Sequence, residues 1–338
     1  MNLSTCNRPL AGQTVPAVGL GCMNLSHAYG IPPEQADAER VLHKALEIGV
    51  RHFDTAPLYG FGRNEDLLGP VLKPVRDEIF LASKCGLTGV NGERVIDGRP
   101  ETLMKTCDES LRKLQTEVLD LYYLHRWDKN VPIEDSIGAL QDMRRQGKIR
   151  AIGLCEVSAD TLRHAHAIEP IAAVQSEYSL WSRNAEIAVL DACRELDVAY
   201  VAFSPLARGF FANMELSPDE FVEKDIRRNM PRFQSPHFEK NRELLGRYRA
   251  LADAAGCTPA QLALAWLLHK APNLHVLPGT TSCEHLEEDF AARDVSLSRQ
   301  LMDELEALID PSAISGPRYN AATQAQIDTE EFPAAATE

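Results

Sequence analysis

Four side chains that can hold or transfer a proton follow short apolar segments of this sequence: Asp54, Tyr59, Lys84 and His125. If those segments are neighbouring parallel strands, their carboxyl ends place all four side chains at one rim of the sheet. A phenol is a weak acid with an ordinary pKa of ~10, and a nearby ammonium lowers that pKa by stabilising the phenolate. We therefore expect Tyr59 to protonate an oxygen, Asp54 to orient Lys84, and His125 to contact the substrate.

None of these four residues is diagnostic by itself. A lone histidine at a strand end is usually structural, and an Asp–Lys pair is usually a surface ion pair of little energetic value. Their joint position is what indicates catalysis. Competing motifs fail, since Asn24 stands where a dinucleotide loop beginning at Gly19 needs its third glycine. A metal-dependent hydrolase would need histidine or carboxylate clusters at strand ends, and the sequence predicts no metal site.

Short β-rich runs alternate with longer amphipathic stretches along the chain. The predicted strands are Val18–Leu20, His52–Asp54, Ile79–Lys84, Leu119–His125, Ile149–Leu154, Ala172–Ser176, Tyr200–Ser204 and His275–Leu277. The predicted helices include Glu34–Ile48, Arg99–Leu114, Ile133–Gln146, Ala159–Ile168, Ala185–Leu196 and Pro259–His269. Such alternation predicts a parallel sheet. Eight units favour a closed (β/α)8 barrel, with an open doubly wound sheet as the alternative.

Local signals mark several boundaries of these elements. Ser158 and Thr258 are placed to begin helices, while Gly49 and Gly147 are placed to end them. Residues 208–240 contain three prolines and predict an excursion that shapes a ligand pocket at the rim. We expect one domain over residues 1–338, with the barrel at about 15–310 and an irregular tail at 311–338 whose end is frayed.

The composition excludes several classes of partner. The formal net charge is −14, which argues against nucleic-acid and anionic-membrane binding but leaves room for a locally positive pocket. Eight dispersed cysteines predict reduced thiols, and no secretory or membrane-spanning segment is apparent. We expect a cytoplasmic protein that acts on small molecules. The sequence leaves its oligomeric state open.

The ordered motifs of the sequence resemble those of the aldo-keto reductase superfamily, and specifically its branch of broad-range aldehyde and ketone reductases from bacteria, plants and fungi. The resemblance extends from Val18 to about Ala292 and rests on the ordered strings GLGCMNLSHAYG, HFDTAPLYG, LASKCG, DLYYLHRWD, IRAIGLCEVS, VQSEYSLWSR, VAFSPLARGF and VLPGTTSCEHLEED. It implies a (β/α)8 TIM barrel with a short N-terminal β-hairpin, long rim loops and an extra C-terminal helix. It also implies a catalytic tetrad of Asp54, Tyr59, Lys84 and His125.

The resemblance further implies a nicotinamide cofactor that lies across the rim. Gln175 matches the residue that binds the carboxamide, whereas Cys155 and Glu156 stand where a Ser-Asn pair is common. Phe203 matches an aromatic position against the nicotinamide ring. The full set of implied cofactor residues is Gly21, Met23, Asp54, Cys155, Glu156, Gln175, Phe203, Ser204, Pro205, Leu206, Arg208, Gly209, Gly279, Thr280, Thr281, His285, Glu288 and Asp289.

The loop that matches the family's adenosine-phosphate site is atypical of the family in its charge. Many members place a cation there, but residues 280–282 carry only hydroxyls, Asp289 replaces a frequent asparagine, and only Arg208 and His285 are candidate cations. Family habit favours NADP(H) over NAD(H), with NADH use open. The residues expected in the substrate pocket are Met23, Tyr29, Tyr59, His125, Arg126, Trp127, Tyr178, Trp181 and Phe210.

The expected activity is reversible reduction of an aldehyde or ketone to the alcohol, by hydride transfer from nicotinamide C4 and proton donation from Tyr59. An alternative is a nucleotide-sensing ancillary subunit like those associated with ion channels, since such relatives can retain the tetrad.

Overall fold

The computed structural model describes residues 7–26, 28–90, 92–212 and 215–332. Its strands are β1 (Asn7–Leu10), β2 (Gln13–Pro16), β3 (Leu20–Gly21), β4 (His52–Asp54), β5 (Phe80–Cys85), β6 (Leu87–Val90), β7 (Glu93–Ile96), β8 (Leu121–Leu124), β9 (Ile152–Cys155), β10 (Ile171–Glu177), β11 (Ala199–Phe203) and β12 (Leu274–Leu277). Its α-helices are α1 (Gln35–Ile48), α2 (Arg63–Leu72), α3 (Pro100–Lys113), α4 (Ile133–Arg145), α5 (Ala159–Ile168), α6 (Val189–Glu195), α7 (His237–Arg242), α8 (Leu245–Ala255), α9 (Pro259–Lys270), α10 (Cys283–Ala291), α11 (Arg299–Leu308) and α12 (Ala321–Gln324).

Within the described residues, eight parallel strands follow one another in the order β3, β4, β5, β8, β9, β10, β11 and β12. A parallel bridge between Val18 and Val276 joins the two ends of this sheet, and the Gly19 amide donates to the Val276 carbonyl oxygen at 2.9 Å. The predicted (β/α)8 barrel is therefore confirmed, and the open-sheet alternative is wrong. Strands β1 and β2 form the expected antiparallel hairpin.

The helix boundaries follow from local chemistry. Gly49 adopts a left-handed conformation (φ 95°) at the end of α1, where a side chain would be strained. The Ser158 hydroxyl accepts a hydrogen bond from the Thr161 amide and caps α5. Thr258 and Gln261 form a reciprocal capping box at the start of α9. The Ser158 and Thr258 side chains accept hydrogen bonds from amides that a helix leaves unpaired at its start. These residue types therefore indicate in the sequence where a helix begins.

The predicted helix Ala185–Leu196 is wrong as a single element. The structure has a short 3-10 turn at Asn184–Glu186 and then α6, because Ala188 (φ −154°) leaves the helical region between them. Predicted strand ends shift by one to three residues elsewhere, as expected for boundaries fixed by pairing partners.

Barrel strands are buried on both faces. All six residues of β5 are buried, so that its inward side chains fill the barrel while its outward ones pack beneath the helices. Phe80, Ala82, Leu121 and Tyr123 belong to the interior cluster. Lys84 is 0% exposed and lies at the carboxyl end of this strand, where the interior opens into a cavity.

The C-terminal segment is packed against the barrel. Arg318 pairs with Glu156 and with Glu177 (3.3 Å), and Glu177 also pairs with Arg208 at 2.6 Å. We call these four residues the anchor cluster. The tail beyond Pro311 was expected to be irregular, and its described part does contain only short helical turns, but buried ion pairs hold it in place. The predicted frayed end, residues 333–338, lies outside the described residues.

The described residues were predicted to contain neither a metal site nor a membrane-spanning segment. No group of three or more His, Cys, Asp or Glu side chains is arranged to hold a metal ion. No single described helix is long and apolar enough to cross a membrane, although one sharply bent pair (His237–Ala255 with Pro259–Lys270) meets the length and composition criteria.

Candidate active site

The buried ammonium of Lys84 is the centre of the site. It contacts the Asp54 carboxylate, donates to the Thr55 carbonyl oxygen at 2.9 Å and donates to the Tyr59 hydroxyl oxygen at 3.1 Å. Asp54 and Lys84 come from the paired strands β4 and β5, and Tyr59 begins the turn that follows β4. Adjacent strands therefore converge on one ammonium, as the sequence predicted.

His125 and Gln175 complete the surroundings of this cluster. The His125 ring stands edge-on to the Tyr59 ring, with 6.1 Å between ring centroids. Its Nδ1 is buried and has no hydrogen-bond partner among the described residues. Gln175 Nε2 donates to the second carboxylate oxygen of Asp54 at 2.8 Å, which leaves that carboxylate held on both sides.

The protonation states suit an acid catalyst. Burial raises the pKa of Tyr59 to about 12; Lys84 lowers it and Asp54 raises it. The sequence correctly predicted the direction of the Lys84 effect, but the net shift is upward because burial is the larger influence. Burial opposes the charge on Lys84, yet Asp54 and Tyr59 raise its pKa above the ordinary value. Tyr59 is therefore a neutral phenol beside a permanent ammonium at neutral pH.

His125 is neutral in the same environment. Burial holds its pKa well below the usual range, and the positive charges of Lys84, Arg126 and Arg94 lower that pKa further. A neutral imidazole can donate one hydrogen bond and accept one. It can therefore contact a substrate oxygen without placing a second cation beside Lys84.

The tetrad opens into a cavity of about 1050 Å³ at the carboxyl end of the barrel. The predicted cofactor residues that line it are Gly21, Met23, Asp54, Cys155, Gln175, Phe203, Ser204, Pro205, Leu206, Arg208, Gly209, Gly279, Thr280, Thr281, His285, Glu288 and Asp289. The predicted substrate residues that line it are Met23, Tyr29, Tyr59, His125 and Arg126. The structure thus brings together segments from nearly the whole chain.

Glu156 does not line the cavity, contrary to its predicted cofactor role. Its side chain pairs with Arg318, and its Oε1 accepts from the Glu177 amide at 2.9 Å. The backbone of Glu156 has a positive φ of 55°, and its amide donates to the Gln175 carbonyl oxygen. The side chain therefore belongs to the anchor cluster.

Four aromatic residues predicted for the substrate pocket also lie outside the cavity lining. Tyr178 is fully buried and its hydroxyl donates to Glu186 at 2.6 Å. Trp181 stacks on Phe210 with 4.5 Å between ring centroids. Trp127 donates to the Val131 carbonyl oxygen and is covered by Lys129. These large rings pack against other side chains and do not face the cavity, as is common for aromatic residues.

Several lining residues were not predicted from the sequence. They come from the hairpin β6–β7, from the excursion after β11 and from the C-terminal segment: Leu87, Arg94, Leu216, Ile226, Arg227, Asn229, Met230, Tyr319, Asn320 and Thr323. The excursion was expected to shape the pocket, but its individual side chains carry no periodic signal. The contribution of the tail had no signal in the sequence.

A parallel barrel with a buried phenol, an ammonium beside it and a long cavity across the rim defines a class of oxidoreductase. The chain belongs to the aldo/keto reductase family, whose model matches residues 17–310. The resemblance stated from the motifs is thereby confirmed, as is the predicted class of activity, an NAD(P)(H)-dependent carbonyl reductase.

Named relatives agree with this assignment. The chain is 41% identical over 340 residues to aldo-keto reductase yakc (NADP(+)) of Schizosaccharomyces pombe, covering 98% of this chain and 100% of the relative. Its fold matches glycerol dehydrogenase AKR11B4 from Gluconobacter oxydans with a TM-score of 0.83 and 28% identity, over 94% and 99% of the two chains. It also matches an aldo-keto reductase from Klebsiella pneumoniae in complex with NADPH (TM-score 0.72, 26% identity, 93% and 98% covered). These relatives do not support the ancillary-subunit alternative.

Proposed function

We propose that this protein reduces an aldehyde or ketone to the corresponding alcohol with NADPH, reversibly, and that Tyr59 donates the proton. The observation that carries this proposal is the 3.1 Å contact between Lys84 Nζ and the Tyr59 hydroxyl in a buried cluster that faces the cavity. When bound, the nicotinamide supplies the hydride for reduction or accepts it in the reverse reaction.

The residues of this chain hold the proton that is transferred and stabilise the group that it leaves. The Tyr59 phenol is protonated at neutral pH, and its pKa of about 12 leaves it available as a donor. As the proton leaves, Lys84 stabilises the phenolate through the hydrogen bond that it already makes. Asp54 holds Lys84 in place and keeps it charged. The neutral His125 imidazole orients the carbonyl oxygen toward Tyr59.

The cavity lining suits a dinucleotide. The Gln175 amide lies at the reaction end beside Asp54. Helix α10 begins beside the lining residues Thr280, Thr281 and His285, and the amino terminus of a helix favours a phosphate. Burial, with a smaller contribution from Glu288, raises the pKa of Asp289 well above its usual range. A protonated carboxyl offers both a donor and an acceptor, as an amide does, so Asp289 can serve an adenine where relatives often carry asparagine.

We propose NADP(H) in preference to NAD(H). The name of the yakc relative specifies NADP(+), and the Klebsiella structure is a complex with NADPH. Arg208 is occupied by Glu177 at 2.6 Å, so His285 and the hydroxyls of Thr280 and Thr281 are the polar side chains left for a 2′-phosphate among the predicted residues. This is a weaker set than the arginine that a phosphate prefers.

A panel of aldehydes and ketones, assayed with NADPH and with NADH, tests both parts of the proposal. We expect turnover of at least one carbonyl and a kcat/KM for NADPH that exceeds the value for NADH by about tenfold, equivalent to ~1.4 kcal/mol. A Tyr59→Phe preparation controls for contaminating reductases. Absence of carbonyl turnover with either cofactor would refute the activity, whereas a preference for NADH would refute only the cofactor assignment.

We also propose that the protein acts in the cytoplasm. The seven described cysteines are free thiols, which is typical of a reducing compartment. Cys6 lies outside the described residues.

A further inference from the structure

Two arginines that the proposed chemistry does not use line the same cavity as Tyr59 and His125. Arg126 follows His125 directly, is 6% exposed, and donates from Nη1 to the His125 carbonyl oxygen at 2.7 Å. Its Nε is buried and has no hydrogen-bond partner among the described residues. Arg94 lies on β7 and lines the cavity from the hairpin side.

These two arginines differ from the other two that line the cavity. Arg208 pairs with Glu177 at 2.6 Å, and Arg227 pairs with Asp225 at 2.7 Å. Neither Arg94 nor Arg126 forms an ion pair with any carboxylate in the described part of the chain. Burying a charge without a partner is costly, so a buried cation such as Arg126 usually has a ligand as its counter-ion. Arg94 is exposed to solvent and lines the same cavity, so it can add a second positive charge to that ligand site.

Both cations act on the reaction end of the cavity. Each lowers the pKa of His125, so each lies within electrostatic range of the imidazole beside Tyr59. Burial and repulsion by Arg126 lower the pKa of Arg94 to about 10, although Tyr319 and Glu156 act to raise it. With a pKa of about 10, Arg94 stays charged at neutral pH, and it lies close enough to Arg126 for the two guanidiniums to repel one another.

We propose that Arg94 and Arg126 bind an anionic group on the carbonyl substrate, so that the preferred substrates are oxo-acids or phosphorylated carbonyl compounds. This inference rests on the proposed reductase function. A guanidinium offers several donors in a planar arrangement that matches carboxylate and phosphate oxygens. The net charge of −14 makes this local positive pair stand out, because the rest of the molecule repels anions.

Matched substrates test the inference directly. We would measure kcat/KM for 4-carboxybenzaldehyde, 4-formylphenyl phosphate and the neutral methyl 4-formylbenzoate, at saturating NADPH. We expect at least one anion to exceed the neutral ester by about tenfold, since hydrogen bonds to charged groups are among the strongest. Added salt should reduce the advantage of the anion and leave the ester unaffected. The better of the two anions identifies the headgroup.

Variants assign the effect to the two residues. Arg94→Gln and Arg126→Gln should each lower the anion-to-ester ratio by about tenfold, whereas Arg299→Gln, which changes an exposed arginine on α11, should leave that ratio unchanged. Arg94 has an exposed surface, so its substitution keeps the test valid if the Arg126 variant fails to fold. An unchanged ratio in Arg94→Gln would overturn the proposal. So would a rise in the KM for NADPH larger than the loss in the ratio, because Arg94 would then serve the cofactor.

A binding measurement separates this inference from the proposed activity. Calorimetry on the protein saturated with NADP+ should show that benzoate binds about tenfold more tightly than benzamide, and that Arg94→Gln removes the difference. If benzoate shows this preference but no aldehyde is turned over, the anion site stands and the reductase function fails. If aldehydes are turned over but benzoate binds no better than benzamide, the reductase function stands and the anion site fails.

Discussion

Two buried charged clusters lie at the same end of the barrel, and they differ in what their protons can do. In the catalytic cluster, one ammonium, Lys84, is shared between the Asp54 carboxylate and the Tyr59 phenol. In the anchor cluster, two guanidiniums face two carboxylates, Glu156 and Glu177. Guanidinium groups do not release protons, so the two cations of the anchor cluster serve structure, whereas the phenol of the first cluster can donate a proton.

The two clusters also differ in their position along the chain. Asp54 and Lys84 come from adjacent strands only 30 residues apart. Arg318 meets Glu156 across 162 residues and fastens the C-terminal segment to β9 and β10. Burial therefore accompanies the proposed proton transfer in the first cluster, whereas in the anchor cluster it accompanies contacts between distant parts of the chain. The anchor cluster places Tyr319 on the cavity wall, so it contributes to the site indirectly.

The largest expected effect is a loss of activity when the catalytic cluster is changed. Tyr59→Phe removes the proposed proton donor while the ring keeps its packing against His125. We expect kcat to fall by about a thousandfold, equivalent to ~4 kcal/mol of transition-state free energy. Cofactor binding, measured by fluorescence titration, should be unchanged. Turnover within tenfold of the original protein would show that another group supplies the proton.

Arg318→Met, in the anchor cluster, should instead lower the stability of the protein and leave its activity nearly unchanged. It leaves Glu156 as a buried carboxylate without its partner, and removing one partner of a buried pair typically costs about 3 kcal/mol. Urea unfolding should show this loss of stability, while kcat for a neutral aldehyde should stay within tenfold. A double-mutant cycle with Glu156→Gln should recover part of the loss. A thousandfold fall in kcat would mean that the two clusters are not separable.

The anchor cluster should also make stability depend on pH. Burial alone would raise the pKa of Glu177, but Arg208 and Arg318 outweigh it and lower the pKa from 4.5 to about 2. A depressed carboxyl pKa contributes stability above pH 4.5, and that contribution is lost as pH falls toward 2. Between pH 5 and pH 3 the unfolding free energy should fall by about 2 kcal/mol more in the original protein than in Glu177→Gln. Equal slopes would show that the pKa is not depressed.

The smallest effect concerns the outer end of the tail. Lys129 contacts Asp328 at 2.6 Å, but both side chains are partly exposed to solvent. Water screens such a pair, so Lys129→Ala should change the unfolding free energy by only about 0.5 kcal/mol. A loss comparable to that of Arg318→Met would indicate that the tail is held by its exposed contacts and not by the anchor cluster.

Much of the site could be predicted because its residues lie where the strands end. Asp54, Lys84 and His125 follow apolar runs whose pattern predicts parallel strands, and such strands place their carboxyl ends together. The aromatic residues were harder. Nothing in the sequence distinguishes Tyr29, which lines the cavity, from Tyr178, which packs between Tyr200 and Trp266. Glu156 was assigned to the cofactor because Cys155 and Glu156 stand where the family commonly has a Ser-Asn pair. Nothing in the sequence suggests its pairing with Arg318, which is 162 residues away.

The sequence by itself favoured the barrel over an open sheet and predicted the convergence of the tetrad, because the alternation of strands and helices leaves few topologies open. The tertiary structure decided which charges are neutralised. Arg208 and Arg318 pair with carboxylates, whereas Arg94 and Arg126 do not form such pairs among the described residues. Ion pairing depends on distances between segments far apart in the chain, and periodicity carries no information about those distances.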